Sequence, residues 1–163
     1  MGEITHMDGA GNARMVDVGG KEITRRVAIA EGFITLTSTA FSAVVNRQAK
    51  KGDVLTVAQL AGIGGAKRTA DLIPLCHPMP ISSVDAQLEP LVEGHRVRVV
   101  ATVATDWRTG VEMEAMTAVA AALLTVYDML KAIDKSMVIG PIQLLEKRGG
   151  KSGHFLRDTA AHE

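Results

Sequence analysis

One cysteine in 163 residues excludes an internal disulfide and fits a reducing compartment. Aromatic residues make up 3% of the chain, so few rings are available to stack on bases. Neither sign of charge dominates: 18 Lys and Arg balance 18 Asp and Glu, which argues against a general nucleic-acid binder. The N-terminal MGEITHMDGAG lacks the apolar segment of a secretory signal. The longest charge-free apolar stretch, Ala115 to Tyr127, is short for a bilayer span. These absences point to a cytoplasmic chain with neither a nucleic-acid nor a membrane partner.

What is present is enough for one domain with a real core and too little for two. Apolar residues are 47% of the chain, mostly Ala, Val, Leu, Ile and Met. Residues 1–15 are polar and glycine-rich and read as a flexible N-terminal segment. Residues 16–157 read as a single domain, and 158–163 as a flexible C-terminal tail.

Val27 to Leu36 is β-branched enough for a strand. Thr37 and Ser38 offer N-caps for a helix to about Asn46, and Asp53 can cap a second towards Asp71. Gly62, Gly64 and Gly65 weaken that second helix and predict a break or a close packing contact. Pro74 ends it. Ser82 to Leu88 and Arg96 to Thr105 alternate as strands joined through EPLVEGH, with Val97, Val99, Ala101 and Val103 on one face. A long helix follows TG at 109–110, with Met116, Ala120, Leu123, Leu124 and Tyr127 as its apolar face. Met137 to Leu145 returns as a strand, and a cationic glycine-rich tail ends the chain. With one split helix, this order is the β-α-β-β-α-β plan of an α+β, ferredoxin-like antiparallel sheet with helices on one face.

Residues 72–80, LIPLCHPMP, box Cys76 and His77 between Pro74, Pro78 and Pro80. Adjacent residues rarely ligate one ion, and His6, His95, His154 and His162 complete no metal-site spacing. Nothing nearby marks Cys76 as a nucleophile, so it reads as pocket wall. His77, aimed by proline-fixed backbone, suits a ligand contact. Two stretches imitate a phosphate loop and fail. In GIGGAKRT, Ala66 separates Gly65 from Lys67; in GGKS, Leu145 stands where the first glycine belongs.

Basic clusters recur at element ends: Arg25-Arg26, Lys50-Lys51, Lys67-Arg68, Lys131 with Lys135, and Lys147-Arg148 with Lys151. Scattered surface cations are common, yet such clusters in a neutral chain suit a small polyanion, a phosphate ester above all. Glu112 and Glu114 flank Met113 at a strand-to-helix corner, where acids ordinarily complement the helix dipole. Asp128 and Lys131, three apart, form either a solvated pair or an ammonium held beside an acid for proton transfer.

Together MVDV (15–18), KGDV (51–54), AGI with AKRT (61–69), LIPLCHP (72–78), TGVEMEA (109–115), LTVYDM with KA (124–132) and GGKSG (149–153) resemble the cyclic pyranopterin monophosphate synthase family. The resemblance covers almost the whole chain and implies an enzyme, a phosphorus–oxygen lyase of molybdenum cofactor (molybdopterin) biosynthesis. Its substrate would be 3′,8-cyclo-7,8-dihydroguanosine 5′-triphosphate, supplied by a radical partner enzyme and rearranged to cyclic pyranopterin monophosphate and diphosphate. It further implies a homohexamer built from dimers. No metal or cofactor is needed for the step, and Mg²⁺ accompanying the triphosphate stays open.

By matching motif positions the resemblance implies an active-site acid at Asp128, with Lys51, Lys131 and Glu112 as further catalytic candidates. Leu75, Cys76, His77, Met113 and Glu114 would contact substrate, and Arg26, Lys67 and Lys147 its phosphates or sugar. A desolvated Lys51, or Lys131 beside Asp128, is expected to have a lowered pKa. The spacing of Glu114 and Asp128 along the long helix places the site between two chains. Departures from the family pattern are Gly65, Leu130 and Arg148, the last adding charge near the phosphate end. The rival reading is an oligomeric nucleotide-binding regulator on the same fold.

Overall fold

The computed structural model describes residues 9–158. Of the flexible ends expected from the sequence, 1–8 and 159–163 lie outside the described residues. The elements are β1 (Thr24–Thr35), α1 (Ser38–Val45), α2 (Val54–Lys67), α3 (Thr69–Leu72), β2 (Ser83–Leu91), β3 (Arg96–Trp107), α4 (Glu112–Leu130), β4 (Val138–Arg148) and β5 (Phe155–Leu156). The strands form one sheet in the order β2-β3-β1-β4-β5, with every neighbouring pair antiparallel. Its first four members have the ferredoxin-like order, as the sequence pattern predicts.

Local chemistry starts the helices where the sequence places them. Thr37 Oγ1 accepts from Ala40 N at 3.4 Å to cap α1. Asp53 Oδ1 accepts from Leu55 N at 3.1 Å and Thr56 N at 3.2 Å to cap α2. Asp134, in the turn after α4, accepts from Thr37 N at 2.9 Å and from Ser136 N at 2.8 Å. These bonds tie the start of α1 to the end of α4 and hold the Asp134 carboxyl down at about 2, with the Ser136 side chain as the first cause. Ile73 is extended, as a residue before proline must be, and α3 stops at Leu72.

The core lies between one sheet face and the helix layer. From β1 come Ala28, Ala30 and Ile34; from β3 come Val97, Val99, Ala101 and Val103, all essentially buried. Against them α4 sets Ala118, Val119, Ala122, Leu123 and Val126. Leu124, assigned to the buried face by its spacing, is 61% exposed. A helix apolar on nearly every side leaves its register open, and packing turned it so that Leu123 took the core position.

The chain approaches α4 closely because glycine permits it. A Cβ at Gly32 would lie 2.6 Å from Val119 Cγ1 and 2.9 Å from Leu123 Cδ1. A Cβ at Gly65 would lie 2.6 Å from Ala121 Cβ and 3.1 Å from the Thr117 carbonyl. Helix α2 therefore runs unbroken to Lys67 through its glycines; close packing, not a break, is what they serve. At 19 residues α4 is also long and apolar enough to cross a membrane by composition. Here it is the core helix, packed on β1, β3, β4 and α2. The glycine-rich tail is partly ordered too. Gly149 and Gly150 turn the chain at φ of 98° and 80°, and β5 pairs back on β4.

The α2 glycines separate by substitution. Nothing lies within 4 Å of a Cβ at Gly64, whereas Gly65 faces α4. Gly64→Ala is expected to raise stability by about 0.5–1 kcal/mol through helix propensity. Gly65→Ala is expected to lower it by about 1–3 kcal/mol through overpacking. Urea denaturation of both variants checks the opposite signs.

Candidate active site

Two adjoining cavities, of about 850 and 370 Å³, open at the N-terminal end of α4. Lys21, Thr109, Gly110 and Glu112 line both and form the wall they share. The larger cavity is cationic, with Lys21, Arg26, Arg108, Lys147 and Lys151 against two carboxylates, Glu22 and Glu112. The smaller is lined by Leu75, Cys76 and His77 from the loop after α3, and by Met113 and Glu114 from the first turn of α4.

Each side chain is positioned by its element. Arg26, on β1, is 9% exposed and donates through Nε to Trp107 O and through Nη2 to Arg108 O, both at 3.4 Å. Gly150 closes over it; a Cβ there would fall 1.6 Å from Nη1. On β4 neighbouring side chains point oppositely. Lys147 enters the cavity and pairs with Glu112 Oε1 at 2.5 Å, while Arg148 turns away to Glu146 at 2.9 Å. The charge expected from Arg148 at the phosphate end is thus directed elsewhere.

Glu114 is 3% exposed, and burial pushes its carboxyl up to about 7, with the Glu112 charge adding to the rise and its own backbone N–H opposing it. Burial also raises the Cys76 thiol, assisted by Glu114 and Glu112. That direction removes thiolate and leaves Cys76 as wall. Two buried polar atoms of the larger cavity, Thr24 Oγ1 and Arg108 Nε, have no hydrogen-bond partner.

The other named residues lie elsewhere. Lys51 donates to Asp128 Oδ2 at 2.8 Å and to Asp128 O at 3.1 Å, and Lys131 pairs with Asp128 Oδ1 at 2.7 Å. This triad occupies the C-terminal end of α4, ~21 Å from Glu114 along the helix at ~1.5 Å per residue. The Lys131 and Lys51 hydrogen bonds pull Asp128 down to about 2, so in this arrangement it is an ionised anchor for two ammonium groups. Lys131 is correspondingly raised, opposite to the lowering expected from the sequence, because the ion pair outweighs a slight desolvation. Lys67 lines neither of the two cavities but a third, of about 360 Å³, with Met79 and Ile81; Met79 also lines the smaller of the two.

Sequence reasoning missed Lys21, Arg108 and Thr24 as cavity residues. Arg108 immediately precedes the Thr109-Gly110 corner, a usable signal; Lys21 and Thr24 sit in no motif. Among the described residues no three His, Cys, Asp or Glu side chains converge as a metal site would require.

Fold and site define an α+β protein with a cation-lined cleft that adjoins a buried glutamate. Residues 15–150 match the model of the MoaC family. Named cyclic pyranopterin monophosphate synthases are similar over most of their length. That of Jannaschia sp. (strain CCS1) is 56% identical over 155 residues, 95% of both chains. That of Dinoroseobacter shibae is 56% identical over 95% of this chain and 98% of its own. That of Rhodospirillum rubrum is 58% identical over 92% and 90%. The chain belongs to the MoaC family.

The raised Glu114 has a thermodynamic signature. Its folded value of about 7 exceeds its ordinary 4.5, so the folded state holds the proton more tightly. Its contribution to stability is complete below pH 4.5 and is lost as pH rises through about 7. Glu114→Gln is therefore expected to gain about 1–3 kcal/mol over the parent above pH 8 and little below pH 5. Chemical denaturation across that range checks it.

Proposed function

We propose that this chain is a cyclic pyranopterin monophosphate synthase, a lyase of molybdenum cofactor biosynthesis. It converts 3′,8-cyclo-7,8-dihydroguanosine 5′-triphosphate, supplied by a radical enzyme, to cyclic pyranopterin monophosphate and diphosphate. The observation that carries this reading is the shared wall at Glu112, which sets five cations against Glu112 itself and the buried Glu114 behind it. The relatives' names agree with it.

In this reading the triphosphate lies among Arg26, Lys147 and Lys151, which the basic clusters of the sequence include, and Lys21 and Arg108, which they do not. Multiple charge-assisted bonds select a triphosphate without net basicity in the chain. The guanine-derived part faces Leu75, His77, Met113 and Glu114. Opening one ring and closing another moves protons at N, O and C, for which Glu114 near neutral pH and the Lys51 and Lys131 ammoniums serve. A sugar hydroxyl attacks the α-phosphorus, its P–O bond forms as the α–β bridging bond breaks, and cations hold the departing diphosphate. Cys76 acts through shape. Mg²⁺, where present, travels with the triphosphate.

The ~21 Å between Glu114 and Asp128 exceeds the reach of one small substrate, which supports a site shared between two chains of a homohexamer of dimers. Exposed Leu60, Leu72 and Leu124 in the helices support association of copies. Lys67 then reaches substrate from its own cavity or from a partner chain. The cytoplasm, with its guanosine triphosphate pool and reduced thiols, is the compartment that suits this enzyme.

Incubation with the cyclised guanosine triphosphate should release diphosphate and form the cyclic phosphate. Lys131→Ala should lower kcat by about 10²–10⁴ with substrate binding changed only a few-fold. Binding without turnover in the parent protein would favour the nucleotide-binding regulator instead.

The shared site is tested by mixing. Glu114→Gln and Asp128→Asn proteins, each inactive, are unfolded together, refolded and assayed. Roughly a quarter of the sites should carry both native groups and recover activity if pairing is random in two-fold dimers. Confirmed mixed oligomers with no recovered turnover would place the site within one chain.

A further inference from the structure

Lys21 and Glu112 are the charged side chains that line both cavities, and Glu112 is the one paired with Lys147. Both members of that pair are about three-quarters buried, with side-chain exposures of 25% and 26%. Its partners differ in freedom. Glu112 folds back over Gly110, where a Cβ would sit 1.9 Å from Oε2, so its carboxylate is seated against backbone. Lys147 reaches on a flexible four-carbon stem into a cavity lined by four other cations. A polyanion there offers Lys147 more negative charge than Glu112 does.

We propose that a polyphosphate entering the cationic cavity draws Lys147 off Glu112, and that the uncovered carboxylate makes the Glu112–Glu114 pair take up one proton across the shared wall. The proton comes from water, Lys147 keeps its charge, and only N–H···O contacts are exchanged. Close carboxylates titrate as a pair, so the pair is the unit that gains the proton. Glu114, held near neutrality by burial and by Glu112, stands at the threshold.

The titratable groups around the pair are Cys76, held as a neutral thiol, and His77 from the loop after α3, with Lys21 and Glu22 from the segment before β1. Arg26 comes from β1, Arg108 from the turn before α4, and Lys151 from the turn after β4. These cations also gain the phosphates as counter-charges, which weakens their hold on the two carboxylates in the same direction. The triphosphate would thereby load the acid needed at the other end of the same substrate. The coupling rests on the proposed reading of the larger cavity as a triphosphate site.

The probe is inorganic tripolyphosphate added to the full-length protein carrying isotope-labelled glutamate. Difference infrared spectra across pH then follow the protonated carboxyl band, assigned by its loss in Glu114→Gln. The band's midpoint should rise by about one pH unit on binding, a tenfold gain in proton affinity. In Lys147→Met the midpoint should already be high and should move much less on binding. In Glu112→Gln the response should shrink to the smaller part that the other cations supply, whereas Lys147→Arg should keep it in full. An undiminished rise in Glu112→Gln would come from the phosphates' own field and would overturn the handover. So would bound tripolyphosphate with no rise in the parent protein, an outcome that leaves the synthase reading to the turnover assay. Failure of tripolyphosphate to bind would overturn both the handover and the cavity's assignment, while diphosphate release from the true substrate would still decide the function.

Discussion

Close approach of α4 to its neighbours is the constraint on which the rest of this structure depends. Gly32 lets Val119 and Leu123 settle onto β1, and Gly65 brings α2 against Ala121 and the Thr117 carbonyl. The helix is thus clamped between sheet and α2 with little room for rotation or sliding. Everything chemical in the chain hangs on its two ends. The first turn carries Glu112, Met113 and Glu114 into the paired cavities, and the last carries Asp128 to Lys51 and Lys131. A looser helix would blur both clusters at once.

Those two ends show how environment divides one residue class into opposite roles. Glu114 loses water, gains a like-charged neighbour and rises to about 7. Asp128 keeps its water, gains two ammonium partners and falls to about 2. Neither value follows from residue type; each follows from what packing places within a few ångströms. The pair of carboxyls is therefore suited to different tasks, one able to exchange a proton near neutrality and the other fixed as a charge.

The fold was legible where chemistry is local. Thr37 and Asp53 announced their helices, alternation along 96–105 announced β3, and the element order announced the ferredoxin-like sheet. The site was legible where motif residues adjoin, as at LIPLCHP and TGVEMEA. It was not legible where distant segments meet. Lys21 and Thr24 come from one stretch and Arg108 from another, and only strand pairing brings them round one cavity with Arg26 and Lys147. Leu124 was misplaced because a helix this rich in alanine and leucine offers several apolar faces, and the partner surface chooses among them. Lys131 was misread because i, i+3 spacing gives proximity but not the balance between an ion pair and desolvation.

The stretch from Glu114 to Asp128 also behaves as a gauge block whose length cannot be altered by small steps. Its 14-residue interval is just under four turns, so both carboxylates leave the helix on nearly the same side. One inserted residue would turn Asp128 by about 100° and carry it ~1.5 Å along the axis, off Lys51. Deleting one would do the same in the opposite sense. Adding seven would nearly restore the direction, but would move the anchor ~10 Å and detach it from the turn before α2. The number of residues between its ends is therefore a constraint separate from their identity: packing judges each side chain, but only the count keeps both carboxylates at their partners.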